Sequence, residues 1–232
     1  MLIRSFPAGA FGTNCYAVAT GRGQECVVVD PGMDAVEPLS QLLAEDGLKP
    51  VAVVLTHGHL DHTFSVVPVC EGYDIPAYIH PADTGMLADP VAWHGPALAP
   101  LISGARLPDP SEVRTLDDGA VLALAGVSLT VRHAPGHTQG SVMFSLDLGE
   151  GPGLLAGDVL FAGSVGRVDL PGGSWQSMLT SLRDVVLPLD DATVVLPGHG
   201  PATTIGRERA TNPYLAEAAA AGEGPAPKGR GL

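Results

Sequence analysis

Short apolar runs, rich in valine and leucine and closed by glycine, proline or aspartate, recur along the chain. They are Tyr16–Ala19, Cys26–Val29, Val51–Leu55, Ala77–Ile79, Val121–Leu124, Leu129–Val131, Val142–Leu146, Leu154–Ala156 and Thr193–Leu196. Runs of this length with turn residues at their ends read as strands. The opening MLIRSFPAGAFGTNCYAVAT reads as two short strands and a turn, because Pro7, Gly9, Gly12 and Asn14 interrupt any continuous apolar core. Helical patterns lie between some of the strands: Val36–Ala44 with Asp34 as N-cap, Trp175–Val186 with Ser174 in that role, and Arg207–Ala221, where Pro213 should kink or restart the helix. The strands outnumber what one ordinary sheet holds, so two stacked sheets with helices outside them form the predicted architecture. Asp89–Ser111, rich in Pro and Ala and without a period, is expected to be an insertion or long surface loop, and Gly222–Leu232 a flexible tail.

Composition narrows the class. With 232 residues, 45 % hydrophobic and only 16 % charged, the chain can bury a sizeable core as one compact domain. No apolar run reaches the roughly 18 residues of a spanning helix, so no membrane partner is expected. Twelve Lys+Arg against 25 Asp+Glu give a net charge of −13, which argues against general affinity for nucleic acid or anionic lipid. Cys15, Cys26 and Cys70 are odd in number and form no CxxC pair, so neither a disulfide framework nor a cysteine zinc site is indicated, and a reducing cytoplasm is the expected home.

The chemistry gathers at strand ends. Val51–Leu55 runs into Thr56-His57-Gly58-His59-Leu60-Asp61-His62, and three further apolar runs end before His137, Asp158 and His199, each beside a Gly or Pro that lets the chain turn sharply. Imidazole and carboxylate without thiolate suit zinc, iron or manganese in an open, reactive site. His57, His59, Asp61, His62, His137, Asp158 and His199 exceed what one tetrahedral ion takes, so two metals about 3.5 to 4 Å apart with a shared carboxylate fit the number. In an extended segment residues two apart point the same way, so His57 and His59 should grip one ion, while Asp61 and His62, after the turn, are offset toward the other.

Thr56-His57-Gly58-His59-Leu60-Asp61-His62, followed by Pro-Gly-His-Thr, Gly-Asp and Pro-Gly-His-Gly, resembles the metallo-β-lactamase superfamily. The likeness covers roughly 13–199, including Thr13-Asn14-Cys15-Tyr16 and Val29-Asp30-Pro31-Gly32. It implies an α/β fold of αββα sandwich type, with a single domain over 1–221, a C-terminal helical segment over 205–221, and metals at one edge between the sheets. By position, His57, His59 and His137 would hold the first ion, and Asp61, His62 and His199 the second, with Asp158 bridging. The commonest β-lactamases carry Cys where Asp158 stands and lack a histidine at His62, so antibiotic hydrolysis is not expected.

The run from Gly157 to Gly173 is similar to the glyoxalase II group, the hydroxyacylglutathione hydrolases, in its short bacterial form. The resemblance implies hydrolysis of a small-molecule hydroxyacyl thioester by a metal-bridging hydroxide, with Asp61 and Asp158 catalytic and two divalent ions, zinc first, iron or manganese next. Longer members add a basic C-terminal domain for glutathione, which this chain does not continue into. Arg167, whose planar fork suits bidentate contact, is the candidate for a substrate carboxylate. The alternative is a persulfide dioxygenase with a mononuclear iron held by His57, His137 and Asp158; it shares Gly166-Arg167-Val168-Asp169. RNA processing ranks lower, since it needs a basic exosite. His133, within an apolar strand, is expected to be packed, and His94 could line the substrate mouth.

Overall fold

The computed structural model describes residues 1–89, 92–93 and 110–222. His94, most of the expected insertion and the tail from 223 onward lie outside the described residues. The first half of the chain forms one six-stranded sheet in chain order: β1 (Leu2–Ala8), β2 (Thr13–Ala19), β3 (Glu25–Val29), β4 (Lys49–Val54), β5 (Ala77–Ile79) and β6 (Val113–Thr115). The second half repeats the arrangement with β7 (Val121–Leu124), β8 (Val127–His133), β9 (Val142–Asp147), β10 (Pro152–Gly157), β11 (Val194–Pro197) and β12 (Thr203–Thr204).

Side chains alternate across each strand, and the alternation builds three apolar layers. Tyr16, Val18, Val27, Val29, Ala52 and Val54 face the second sheet and meet Leu129, Val131, Phe144 and Leu155. Their neighbours Cys15, Ala17, Cys26, Val28 and Val53 pack beneath α1 (Val36–Asp46) and α3 (Val66–Tyr73) through Leu39, Leu42, Leu43, Val66 and Val69. On the far side Met143, Leu154, Ala156 and Val195 meet Met178, Leu182 and Leu215 of the later helices. Strands covered on both faces read as unbroken apolar runs, which is why β3 and β4 show so little polar alternation. The result is the expected αββα sandwich, and among the described residues no helix is long and apolar enough to cross a membrane.

Helix boundaries differ from expectation in instructive ways. Asp34 does not cap α1: it sits at φ 56° in the turn after β3, and Ala35 takes the cap position without a side-chain bond. Ser174 does cap the helix α5 (Trp175–Ser181), accepting from the Ser177 amide, and the helix continues as a π-turn over Leu182–Val186. The last helical stretch starts earlier than expected, with Thr204 capping α6 (Ile205–Thr211), and Pro213 restarts it as α7 (Pro213–Gly222).

Strands β3, β4 and β5 run parallel, as do β10 and β11, and β8 shares the direction of β10 because both oppose β9. Their C-terminal ends therefore open on one edge of the sandwich, where loops are free to carry ligands. Asp83, fully buried between β5 and the short helix α4 (Thr84–Ala88), ties the two sheets together there. Its carboxylate accepts from the Gly58 amide (3.0 Å), the Gly140 amide (2.7 Å) and the Thr138 hydroxyl (2.6 Å). Removing it leaves buried donors without an acceptor. Asp83→Ala is expected to cost about 2 to 4 kcal/mol, lowering the urea midpoint at unchanged slope; a loss under about 0.5 kcal/mol would contradict this tie.

Candidate metal centre

The end of β4 delivers Thr56 and His57 in extended backbone, and His59 keeps that conformation (φ −64°, ψ 142°) before the short helix α2 (Leu60–Thr63) begins. His57 and His59 therefore share a side, whereas Asp61 and His62 leave from a helical turn. His137 follows β8, Asp158 follows β10 and His199 follows β11. All seven expected residues come together. Their ligand atoms form three overlapping groups within 4.8 Å: His57, His59 and His137; His57, His62 and Asp158; Asp61, His62 and His199.

Hydrogen bonds behind the rings assign their tautomers. Thr56 Oγ1 gives its proton to Asp30 Oδ2 (2.6 Å), so it accepts from His57 Nδ1 (3.1 Å) and leaves His57 Nε2 a lone pair. His62 Nδ1 donates to the same Asp30 oxygen (3.0 Å), and His137 Nδ1 to the Arg167 carbonyl (2.7 Å). Outer partners of this kind fix ring orientation and raise basicity. His137 Nε2 then lies 3.1 Å from His57 Nε2 and 2.7 Å from His59 Nδ1. With His57 and His137 protonated at Nδ1, their Nε2 lone pairs face each other at 3.1 Å and repel unless positive charge lies between them, so the donor set fits a cation.

Electrostatics at the other end point the same way. Burial opposes the charged form of His62, yet Asp61 and Asp158 hold its pKa well above the ordinary imidazole value. Burial would raise Asp61 and Asp158, but His62 and its neighbours keep both below the usual carboxylate range. His57, fully buried, is driven down by desolvation and the surrounding imidazoles. His199 is raised, since Asp61 and Asp158 outweigh its partial burial.

The chain packs tightly to achieve this. A Cβ on Gly198 would fall 2.2 Å from Asp158 Oδ1 and 2.7 Å from the His62 ring, so only glycine fits beside His199. Asn14 and Tyr16 of β2 bind the Pro197 carbonyl (3.0 and 2.7 Å) and Asn14 also reaches Gly200 (2.9 Å), fixing that loop against the first sheet. Thr13 donates to Asp61 Oδ2 (3.1 Å).

A cavity of about 560 Å³ opens over the cluster, lined by His59, Asp61, His137, Asp158, His199, Phe11, Leu60, Phe161, Leu170 and Arg167. Arg167 is thus at the site, with its guanidinium forked onto Asp169 at 2.7 and 2.8 Å. His133 is half-buried and stacks on His80, centroids 4.2 Å apart, away from the cluster. Sequence reasoning assigned no role to Asp30 and Thr13, although both lie in stretches noted above; Asp83 and the apolar cavity wall carried no one-dimensional signal.

Comparisons with known proteins agree with this geometry. The chain is 32 % identical over 216 residues to the hydroxyacylglutathione hydrolase GloC of Haemophilus influenzae, covering 93 % of this chain and 98 % of GloC. The structure of the BLEG-1 B3 metallo-beta-lactamase matches with a TM-score of 0.78 at 35 % identity, covering 92 % of this chain and 99 % of that one. TTHA1623, solved in a di-iron-bound form, gives 0.75 at 39 % identity, covering 91 % and 99 %. With residues 8–199 also matching its family description, the chain belongs to the metallo-beta-lactamase superfamily.

Proposed function

We propose that the protein is a dinuclear metal-dependent thioesterase that hydrolyses a hydroxyacyl ester of a small thiol, working in a reducing compartment such as the cytoplasm. The observation that carries the two-metal reading is the position of Asp158. Its Oδ1 lies 3.2 Å from His62 Nε2, and its Oδ2 lies 3.5 Å from His137 Nε2 and 3.7 Å from His199 Nε2, so one carboxylate reaches both donor sets. His57, His59 and His137 would hold one ion, Asp61, His62 and His199 the other, with Asp158 between them. The di-iron form of TTHA1623 supports two ions, and GloC supports the thioester class. Zinc, iron and manganese suit the donors, with zinc the first choice.

When bound, the two cations supply Lewis acidity toward the acyl carbonyl and lower the pKa of a water from 15.7 to about 7. Asp61, kept ionised and held by Thr13, would orient that water. The water oxygen bonds to the acyl carbon, the carbon–sulfur bond breaks, and the thiol departs as a thiolate. A thiol with a pKa near 8.5 needs little help from an acid, so the absence of a general acid from this scheme is no obstacle. Asp30 and Thr56 keep the histidine lone pairs aimed inward throughout.

The BLEG-1 match favours a second reading, lactam hydrolysis. The test is turnover of S-lactoylglutathione, a cephalosporin and glutathione persulfide by protein of measured metal content. Two metals per chain with thioester cleavage is the expected result; lactam cleavage alone, or oxygen uptake at one iron per chain, would replace it. His59→Ala should lose chiefly the first ion and Asp158→Ala should weaken both, each lowering kcat about a thousandfold, since several kcal/mol of charge stabilisation go with the metal. Unchanged activity in both would end the assignment.

Acid should strip the ions in order. Ligands must be deprotonated to bind. His62 and His199, raised, take up protons at higher pH than His57, lowered, so on falling pH the Asp61–His62–His199 set should release its ion first. Metal content after dialysis at stepped pH should fall in two steps, with the first step missing from His199→Ala protein. Simultaneous loss, or first loss from the His57 set, would contradict it.

A further inference from the structure

Resting on the thioesterase reading, we infer that the thiol half of the substrate is apolar and uncharged, and that Phe11, Leu60, Phe161 and Leu170 select it. The acyl end must lie over the histidine and aspartate cluster, because that is where hydrolysis occurs. Among the described residues, what remains of the cavity wall is those four apolar side chains and Arg167.

Arg167 is the natural anchor for an anionic thiol such as glutathione, and among the described residues it is the cation that lines the cavity. Its charge is already answered. Nε and Nη2 bond to the two oxygens of Asp169, the planar match a substrate carboxylate would otherwise make, and Arg167 holds the Asp169 carboxyl down at about 2, so both partners are charged at neutral pH. An anionic substrate would either exchange with Asp169 or take the remaining Nη1 edge of a guanidinium that Asp169 already neutralises. The exchange offers little net selectivity, and both partners are largely exposed, where ion pairs contribute least.

The apolar wall has more to gain. Phe11 is a large hydrophobic residue left 43 % exposed at the cavity mouth. It sits on the turn between β1 and β2, and that turn is firmly set: Gly9 has φ +54°, and a Cβ there would meet the Met33 carbonyl at 2.7 Å. Phe161 stands edge-on to His199 with centroids 6.0 Å apart, so the apolar surface begins beside the cluster. A cavity of about 560 Å³ is the size that takes most of a small ligand, and such sites bind chiefly through apolar walls with few polar groups.

The test uses metal-loaded full-length protein and 2-hydroxyacyl thioesters of three thiols matched in length and basicity, ending in methyl, carboxylate or ammonium, with S-lactoylglutathione alongside. The methyl-ended ester should lead in kcat/KM by about tenfold or more, the scale of discrimination an apolar pocket achieves. Phe11→Ala and Leu170→Ala should each raise its KM several-fold with kcat little changed, and Arg167→Ala should move the KM of S-lactoylglutathione by less than about threefold. Preference for the carboxylate-ended ester or S-lactoylglutathione, erased by Arg167→Ala, would overturn the inference. If no ester is cleaved, the thioesterase reading fails by itself. Calorimetry with the matching thioether analogues then still reads the wall, and tighter binding of the carboxylated analogue overturns the inference without reference to turnover.

Discussion

Five imidazoles and two carboxylates meet at one buried edge, an arrangement that positive charge among them would stabilise. Burial opposes charge on His62 while Asp61 and Asp158 favour it, and His57 and His137 turn their Nε2 atoms toward each other. The fold serves this crowding. Parallel strands from both sheets end on the same edge, glycine stands where a side chain would collide with Asp158, and Asp30 and Asp83 hold the loops from behind. Each device is intelligible as a means of keeping basic nitrogen atoms closer together than they would choose to be.

The sequence made part of this legible. Seven candidate ligands were visible because each follows an apolar run and a turn residue, so residue type and local geometry coincide within a few positions. The sandwich was visible because the apolar runs outnumber the strands that one ordinary sheet holds. The supporting groups were not, since their partners are distant along the chain: Asp83 serves Gly58, Thr138 and Gly140, and Asp30 serves Thr56 and His62. Asp34 misled as a cap because a residue in the left-handed turn cannot also sit at the helix threshold. The short helices Leu60–Thr63 and Thr84–Ala88 span too few residues for a period to show.

Arg167 illustrates how a correct residue can carry an incomplete expectation. Its place at the cavity follows from the loop after Asp158, and its own carbonyl accepts from His137, so the backbone of Arg167 supports the cluster whatever its guanidinium does. Only the fold reveals that Asp169, two residues on, already occupies the fork. A charged residue near a site is therefore a binding group only after its existing partners are set against the substrate it would have to win.

The division between frame and wall explains how one superfamily supports different chemistries. The ligands stand on strand ends and are fixed by buried hydrogen bonds, so they tolerate little change. Phe11, on a surface turn, and Leu170, on the loop beyond Asp158, line the cavity without holding the cluster, so substitution there is expected to alter what enters rather than what reacts. Because the cluster draws on both sheets, a bound cation would also tie β4 to β8, β10 and β11. Binding there stabilises the folded chain alone, since the unfolded chain has no such convergence of donors, and stability and catalysis would be supplied by the same contacts.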